Sequence, residues 1–344
     1  MYIYFINIIL IASFHYYFSK KNYSYEALIW NFYIIFLIIF VGLRHEVGGD
    51  WKIYIDFFEE SKFFDLEHIS LNTDIVYIYI NKIANLVDAG IYGVNLFSAI
   101  IFFLAINSFL KNTKNKWLGL LICFPIVIVI LGMGYARQGL AFAFVLFLIL
   151  SLENRKIIAS LIYFALALFS HKSSLCCMLF YIFYILYYKN YKFLILCFIG
   201  SILIYFLFQA TFNHLLFFYL GSGQHLMSWG SMPRSFLLSL VSIIFLYSIN
   251  DLKLSDYQKF FYKYLSYIIL LISPFSFLTS ITADRILLYY CMIKIIFVST
   301  ADLENRSQKL LTNGIILLYI TYFSIWMIFG VNSIRWLPYS FLGL

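Results

Sequence analysis

An all-helical protein that crosses a membrane many times is what this sequence predicts, and three observations carry the prediction. Hydrophobic residues make up 63% of the 344 and charged residues only 12%, against about half and about a quarter in soluble domains. Thirty tyrosines, thirty-nine phenylalanines and six tryptophans suit the aromatic belts found where a bilayer meets water. The apolar stretches are continuous rather than alternating. That excludes a β-barrel and leaves helices, which satisfy their backbone polar groups within the segment. The net charge of +8 is no nucleic-acid footprint, because its lysines sit in short loops between apolar runs. Membrane lipids are the expected surroundings and no nucleic acid is an expected partner.

Taken in order, the apolar runs give twelve candidate spans: about 1–18, 28–43, 91–110, 117–133, 136–151, 157–170, 174–188, 193–209, 235–249, 264–281, 286–300 and 310–330. Several fall short of the ~20 residues that a straight crossing needs. The first has no basic segment and no small-residue cleavage site, so it reads as a retained helix rather than a signal peptide. Residues 74–90 are too polar to span and read as an amphipathic or re-entrant helix at the membrane surface. With the turn before them they make 44–90 an extracytoplasmic segment. Cys123, Cys176, Cys177, Cys197 and Cys291 are odd in number, lack CxxC spacing and fall in or beside apolar stretches. They are expected to be buried small hydrophobes, neither disulfide nor zinc ligands. No internal repeat or composition shift divides the chain, so 1–344 is expected to be one integral membrane domain.

The loops orient the spans. One alternating set carries fourteen basic residues, nearly all lysines, from Lys20 and Lys21 through Lys111, Lys114 and Lys116 to Arg306 and Lys309. The other set carries nine, five of them arginines placed directly at span ends: Arg44, Arg137, Arg234, Arg285 and Arg335. The positive-inside rule then places the lysine-rich loops in the cytoplasm and the 44–90 segment outside.

Four polar clusters fall on that outer face. The first follows the second span and runs from Arg44 through Gly48, Gly49, Asp50 and Trp51 to Tyr54. Its two glycines suit a turn that brings backbone close to a ligand. Arg44 offers a fork of donors suited to phosphate, and Asp50 a carboxylate that can hold or deprotonate a hydroxyl. A membrane-exit turn whose charges simply meet water accounts for the same residue types. The second cluster, 132–139, surrounds Arg137 and Gln138 with three glycines, and the third, 170–174, squeezes His171 and Lys172 into a very short turn. In the fourth, 282–290, Arg285 and Tyr289 are four apart on one helical face. An arginine inside an apolar helix end costs about 2.5–3.5 kcal/mol at the membrane centre, and less where it snorkels. Three of them on one face with a histidine point to a shared anionic ligand rather than to independent anchors.

These clusters carry a resemblance. The order R-x-x-x-G-x-D-x-x-x-Y (Arg44, Gly48, Asp50, Tyr54), A-R-Q-G-x-A (Ala136 to Ala141), F-S-H-K-S (Phe169 to Ser173), D-R-x-x-x-Y (Asp284 to Tyr289) and L-P-Y (Leu337 to Tyr339) resembles the EpsG family of Wzy-type polysaccharide polymerases, which extend O-antigen, capsule or exopolysaccharide chains. The likeness covers nearly the whole chain, although each motif alone is short. It implies a glycosyltransferase in the bacterial cytoplasmic (inner) membrane with its site facing outward. The donor would be a glycan on undecaprenyl diphosphate, transferred en bloc to a lipid-linked repeat unit. A chain-length regulator and a flippase of the same pathway would be partners.

Such chemistry needs a leaving diphosphate neutralised and an acceptor hydroxyl relieved of its proton. Arg137 and Arg285, with Arg44 as a third clamp, suit the first task. For the second, Asp50 is preferred and His171 is its rival, a polar cap on the next span being the plain alternative for the histidine. Trp51 and Tyr54 would pack on sugar rings, with Gln138 and Tyr289 completing the substrate-binding set. No metal or other cofactor is expected: there is no DxD, and Asp56, Glu59, Glu60, Asp65 and Glu67 read as a solvated acidic face. Lys294, about 13.5 Å of helix past Arg285, is left outside the site. A flippase or transporter of lipid-linked oligosaccharide would favour internal repeats and midplane polar groups. An O-acyltransferase of the polysaccharide would need a histidine or serine facing inward, and the inner loops hold no histidine.

Overall fold

The computed structural model describes residues 1–20, 23–63, 74–190, 200 and 230–342. Apart from one two-residue strand pair, the regular structure described is helical. In chain order it comprises α1 (Tyr2–Phe18), α2 (Glu26–Gly42), β1 (Arg44–His45), α3 (Trp51–Ser61), α4 (Ile75–Leu86), α5 (Gly90–Leu110) and α6 (Lys116–Cys123). Helix α6 widens at Pro125 into a π-helical stretch, Phe124–Met133. Proline has no N–H to give to the α-helical ladder, which favours a departure from it at this point. Then follow α7 (Ala136–Glu153), α8 (Ile157–Ser170), a 3-10 turn (Lys172–Met178), α9 (Leu179–Tyr188), α10 (Ser231–Ser248) and α11 (Asp256–Ile272). The chain ends with α12 (Ser280–Tyr290), α13 (Met292–Thr300), α14 (Arg306–Phe329), a 3-10 turn (Val331–Trp336) and β2 (Ser340–Phe341).

The centre of the bundle is the Lys116–Met133 helix and α7, whose apolar windows are 89% and 78% buried. Helix α7 packs on α5 and α8, α2 packs on α5, and α1 and α13 pack on α6. A second group forms as α10 gathers α11, α12, α13 and α14 around it. Helix α14 is the least covered of the long helices, 33% buried, and its exposed Leu317, Ile325, Ile328 and Phe329 suit a lipid-facing surface.

Among the described residues six helices are long and apolar enough to cross a membrane: Gly90–Leu110, Lys116–Met133, Ala136–Glu153, Ser231–Ser248, Asp256–Phe277 and Arg306–Phe329. Four more apolar helices, Tyr2–Phe18, Glu26–Gly42, Ile157–Ser170 and Lys172–Tyr188, are shorter. The expectation of about twelve spans is corrected accordingly. The physical reason is clearest at 286–300, where one apolar run breaks at Cys291 into two buried helices, α12 and α13. Apolarity reports burial, and a segment buried by protein need not be a straight crossing. The expected span 193–209 lies outside the described residues. Within the 44–90 segment the predicted amphipathic helix is found as α4, packed on α5 and α8.

The two sets of loops gather at opposite ends of the helices. At one end Asp302 takes Lys114 at 2.8 Å and Lys253 at 3.3 Å, and Lys116 meets Glu26 at 3.0 Å. At the other end three turns interlock. Strand β1 pairs antiparallel with β2, Arg44 opposite Phe341. Gly48 N–H donates to the Arg335 carbonyl at 2.8 Å, and Trp336 Nε1 donates to the Val129 carbonyl at 2.9 Å. Gly48 has φ +120°, and a Cβ there would sit 2.3 Å from the Met133 carbonyl oxygen. A Cβ on Gly134 would sit 2.4 Å from the Trp336 ring. Neither position admits a side chain without displacing backbone or a buried indole.

Arg44 closes this arrangement. It is 1% exposed, and its guanidinium donates to the carbonyls of Val41, Val47 and Met133. Hydrogen bonds from a charged donor contribute about 1.5–3 kcal/mol each, and lysine cannot reproduce the three-way fork. Arg44→Lys and Gly48→Ala are each expected to lower the melting temperature of detergent-solubilised protein by several degrees, read by size-exclusion thermostability. The orientation is checked by labelling single cysteines with an impermeant reagent in intact cells. Ser61 is buried, so the exposed neighbour Lys62 is the suitable outer probe and Lys114 the inner one. Labelling is expected at position 62 and not at 114.

Candidate functional site

The interlocked end of the bundle holds a cavity of about 200 Å³ lined by Asp50, Tyr54, Tyr135, Arg137, Gln138, His171, Ile281, Asp284, Arg285 and Leu288. Each wall comes from a different part of the chain. Asp50 is the N-cap of α3, delivered by the Gly48–Gly49 turn, and Tyr54 follows one turn on, its N–H donating to the Asp50 carbonyl at 3.0 Å. Arg137 and Gln138 lie in the first turn of α7, just past the close-packed Gly134. His171 ends α8 in an extended conformation, its N–H still tied to the Ala167 carbonyl. Arg285 lies on α12 and is joined to α7 by Gln138 Nε2, which donates to its carbonyl at 2.9 Å.

Two acidic groups and three basic side chains share this small volume. Among the described residues no hydrogen bond or ion pair engages the Asp50 carboxylate. Burial pushes its pKa above the ordinary carboxylate value, and Arg137, Arg285, Arg335 and His171 pull it partly back. Asp284 is committed: it accepts two hydrogen bonds from Arg234, Nε to Oδ1 at 3.0 Å and Nη2 to Oδ2 at 2.7 Å. The pair is buried, and Arg234 is anchored further by Tyr322, whose hydroxyl donates to the Gly230 carbonyl at 3.1 Å. Arg137 donates to Asp74 at 2.9 Å, and its guanidinium lies 5.8 Å from the ring centres of both Tyr54 and Phe57. Among the described residues no group of three or more His, Cys, Asp or Glu side chains is placed to hold a metal ion.

Of the residues singled out in the sequence, Asp50, Tyr54, Arg137, Gln138, His171 and Arg285 come together in this cavity. Arg44, Trp51 and Tyr289 do not line it. Arg44 is bound to backbone carbonyls below the turn, as described above. Trp51 is buried edge-on against His45, ring centres 5.7 Å apart. Tyr289 lies one helical turn beyond Arg285, fully buried, its hydroxyl 3.2 Å from that of Ser173. Lys294 lies deeper still, 1% exposed, with Nζ 4.2 Å from the centre of the Tyr319 ring. The acidic residues Asp56, Glu59 and Glu60 are exposed, and Asp65 and Glu67 lie outside the described residues. Asp74, Tyr135 and Asp284 were not singled out, and Arg234 entered only as one of the five arginines at span ends. Asp284 carried a signal, standing inside the D-R-x-x-x-Y motif.

The match that decides the family covers almost all of this architecture: the family model described as "EpsG family" matches residues 27–341. The chain belongs to the EpsG family. The match spans every segment that lines the cavity, from the turn bearing Asp50 to α12. Membership in the EpsG family and the polytopic architecture support a general Wzy-like polysaccharide-polymerase role in a membrane. No curated protein and no solved structure matches the chain.

The raised Asp50 pKa gives a test of this electrostatic arrangement. A carboxyl whose folded pKa lies above its unfolded value favours the protonated fold, so it opposes folding once pH exceeds the folded value. That penalty is absent below the ordinary carboxylate pKa. Asp50→Asn is therefore expected to match or raise the wild-type melting temperature at neutral pH. The difference should shrink as pH falls toward the carboxylate range, measured by thermal unfolding across a pH series.

Proposed function

We propose that the cavity is the transfer site of a polysaccharide polymerase. The donor is a glycan chain on undecaprenyl diphosphate, and the acceptor is a sugar hydroxyl of a lipid-linked repeat unit at the outer face of the cytoplasmic membrane. The observation that carries this reading is the unpaired Asp50 carboxylate sharing one cavity with Arg137 and Arg285, in a chain of the EpsG family.

The acceptor oxygen attacks the anomeric carbon of the donor chain and forms the new glycosidic bond. The bond from that carbon to the diphosphate oxygen breaks, and the hydroxyl proton passes to Asp50. Arg137 and Arg285 meet the charge that grows on the leaving diphosphate. Fixed cations in a partly enclosed site stabilise developing charge more than they would in water. Burial keeps Asp50 more basic than a solvated carboxylate, while the cations around it keep it ionised enough to accept a proton. Tyr54 and Tyr135 supply aromatic walls on which sugar rings can pack. Arg44 is proposed to act through structure rather than as a third clamp, since its guanidinium donates to three carbonyls. Trp51 supports the turn that carries Asp50, and Tyr289 the wall behind Arg285.

Polymer formation from purified lipid-linked repeats tests the assignment. Asp50→Asn keeps shape and removes basicity, so single-turnover transfer is expected to fall about 10²–10⁴-fold while acceptor affinity changes little. Tyr54→Phe should cost less. Arg137→Lys and Arg285→Lys keep charge and lose the fork, with an expected loss of about 10²-fold. Near-normal transfer by Asp50→Asn beside an inactive His171→Gln would move the base to His171. Normal polymer from both Arg137→Ala and Arg285→Ala would sink the shared anion site.

A further inference from the structure

Helix α4 places a carboxylate behind the cavity wall. Asp74, its N-cap, is 9% exposed and is not one of the lining residues. Its Oδ2 accepts from Arg137 Nη1 at 2.9 Å and lies 3.8 Å from His171 Nδ1. That imidazole nitrogen is buried and has no hydrogen-bond partner in this arrangement. A single carboxylate oxygen thus faces two basic side chains that arrive from different helices, α7 and α8.

Chemistry gives the pairing a direction. An imidazole whose Nδ1 faces a carboxylate keeps its proton on that side, so Nε2 is the nitrogen left to meet a ligand. A guanidinium held at one end by a carboxylate and flanked by the rings of Tyr54 and Phe57 presents its remaining N–H groups in one orientation. Burial works to raise the Asp74 pKa, but His171, Arg137 and Lys172 outweigh it and leave the carboxyl below its ordinary value. Asp74 is therefore ionised and occupied, which sets it apart from the unengaged Asp50.

We propose that Asp74 is a positioning residue that holds Arg137 and His171 as one unit, turning both toward the diphosphate of the lipid-linked substrate. This rests on the reading of the cavity as the transfer site. The division of labour is specific: Asp50 handles the proton of the acceptor, and Asp74 orders the groups that take the leaving group. A misplacement of the clamp of about 1 Å is enough to lower the rate strongly.

Binding of farnesyl diphosphate, a short soluble carrier of the same head group, to purified full-length protein in nanodiscs gives a readout independent of turnover. Asp74→Asn is expected to weaken it about tenfold or more, with the melting temperature held within a few degrees. Asp74→Glu keeps the charge and should recover binding to within about threefold. In a His171→Gln background, Asp74→Asn should add less than it does alone, because the two substitutions disable one unit. A purely structural Asp74 would give additive effects and no rescue by glutamate. Arg285→Ala, a change on α12 rather than on the helices that meet Asp74, separates the positioning role from the diphosphate site. If Arg285→Ala weakens binding and Asp74→Asn does not, the positioning role is wrong and the transfer site stands. If Arg285→Ala leaves binding unchanged as well, the diphosphate site itself is wrong. Should Asp74→Asn fail to accumulate, Asp74→Glu decides, and binding as poor as that of Arg137→Ala would overturn the proposal.

Discussion

The guanidinium of Arg44 is the fixed point from which the cavity-bearing end of this protein is built. Its three backbone acceptors belong to the end of α2, to the turn leading to Asp50, and to the end of the π-helical stretch before Arg137. Carbonyls at helix ends and turns lack partners of their own, and burying them unsatisfied would be costly. One side chain meets three of them. The same interaction sets the distance between the two turns that carry Asp50 and Arg137. An arginine read in isolation as a ligand for phosphate thus serves the site by placing its neighbours.

Around the cavity, charge is arranged in two layers. The engaged pairs are Arg234 with Asp284 and Arg137 with Asp74; the first lies where solvent is scarce, and breaking it would leave an uncompensated buried charge. Beside them stands the Asp50 carboxylate, which no hydrogen bond or ion pair engages among the described residues. Acid and base therefore sit within one small volume without cancelling, because most of the opposite charge is already spoken for.

Much of this was legible in the sequence. The composition identified a helical membrane protein, and the short polar clusters identified six of the ten residues that line the cavity. The alternation of lysine-rich loops with arginine-capped span ends reappears as two chemically distinct ends of the bundle. What could not be read has physical causes. Asp74 begins an amphipathic helix, where an acidic residue is ordinary helix-cap chemistry, and its partner Arg137 lies far along the chain. Arg234 was read only as one of five arginines at span ends, because nothing local announces a bidentate pairing with Asp284 across a bundle. Arg44 and Trp51, expected to bind substrate, do not line the cavity. Their chemistry suits a ligand, and only packing shows that backbone and neighbouring rings already occupy it. The number of spans was overcounted because hydropathy cannot tell a helix sheathed in lipid from one sheathed in protein, as α12 and α13 show.

The dispersal of the cavity walls along the chain bears on biogenesis. Asp50 comes from the early part of the sequence, Arg137 and His171 from the middle, and Arg285 from a helix made late. A chain emerging from the ribosome inserts its helices in order. Until α12 has joined the bundle, Arg137 and His171 stand beside a cavity with one side missing, and Gln138 lacks the carbonyl that ties α7 to it. The nascent chain can close the cavity no sooner than its last third is in the membrane. An incompletely inserted copy thus lacks the wall that α12 supplies, and the charged groups of the earlier segments are brought into one enclosure only when insertion is finished.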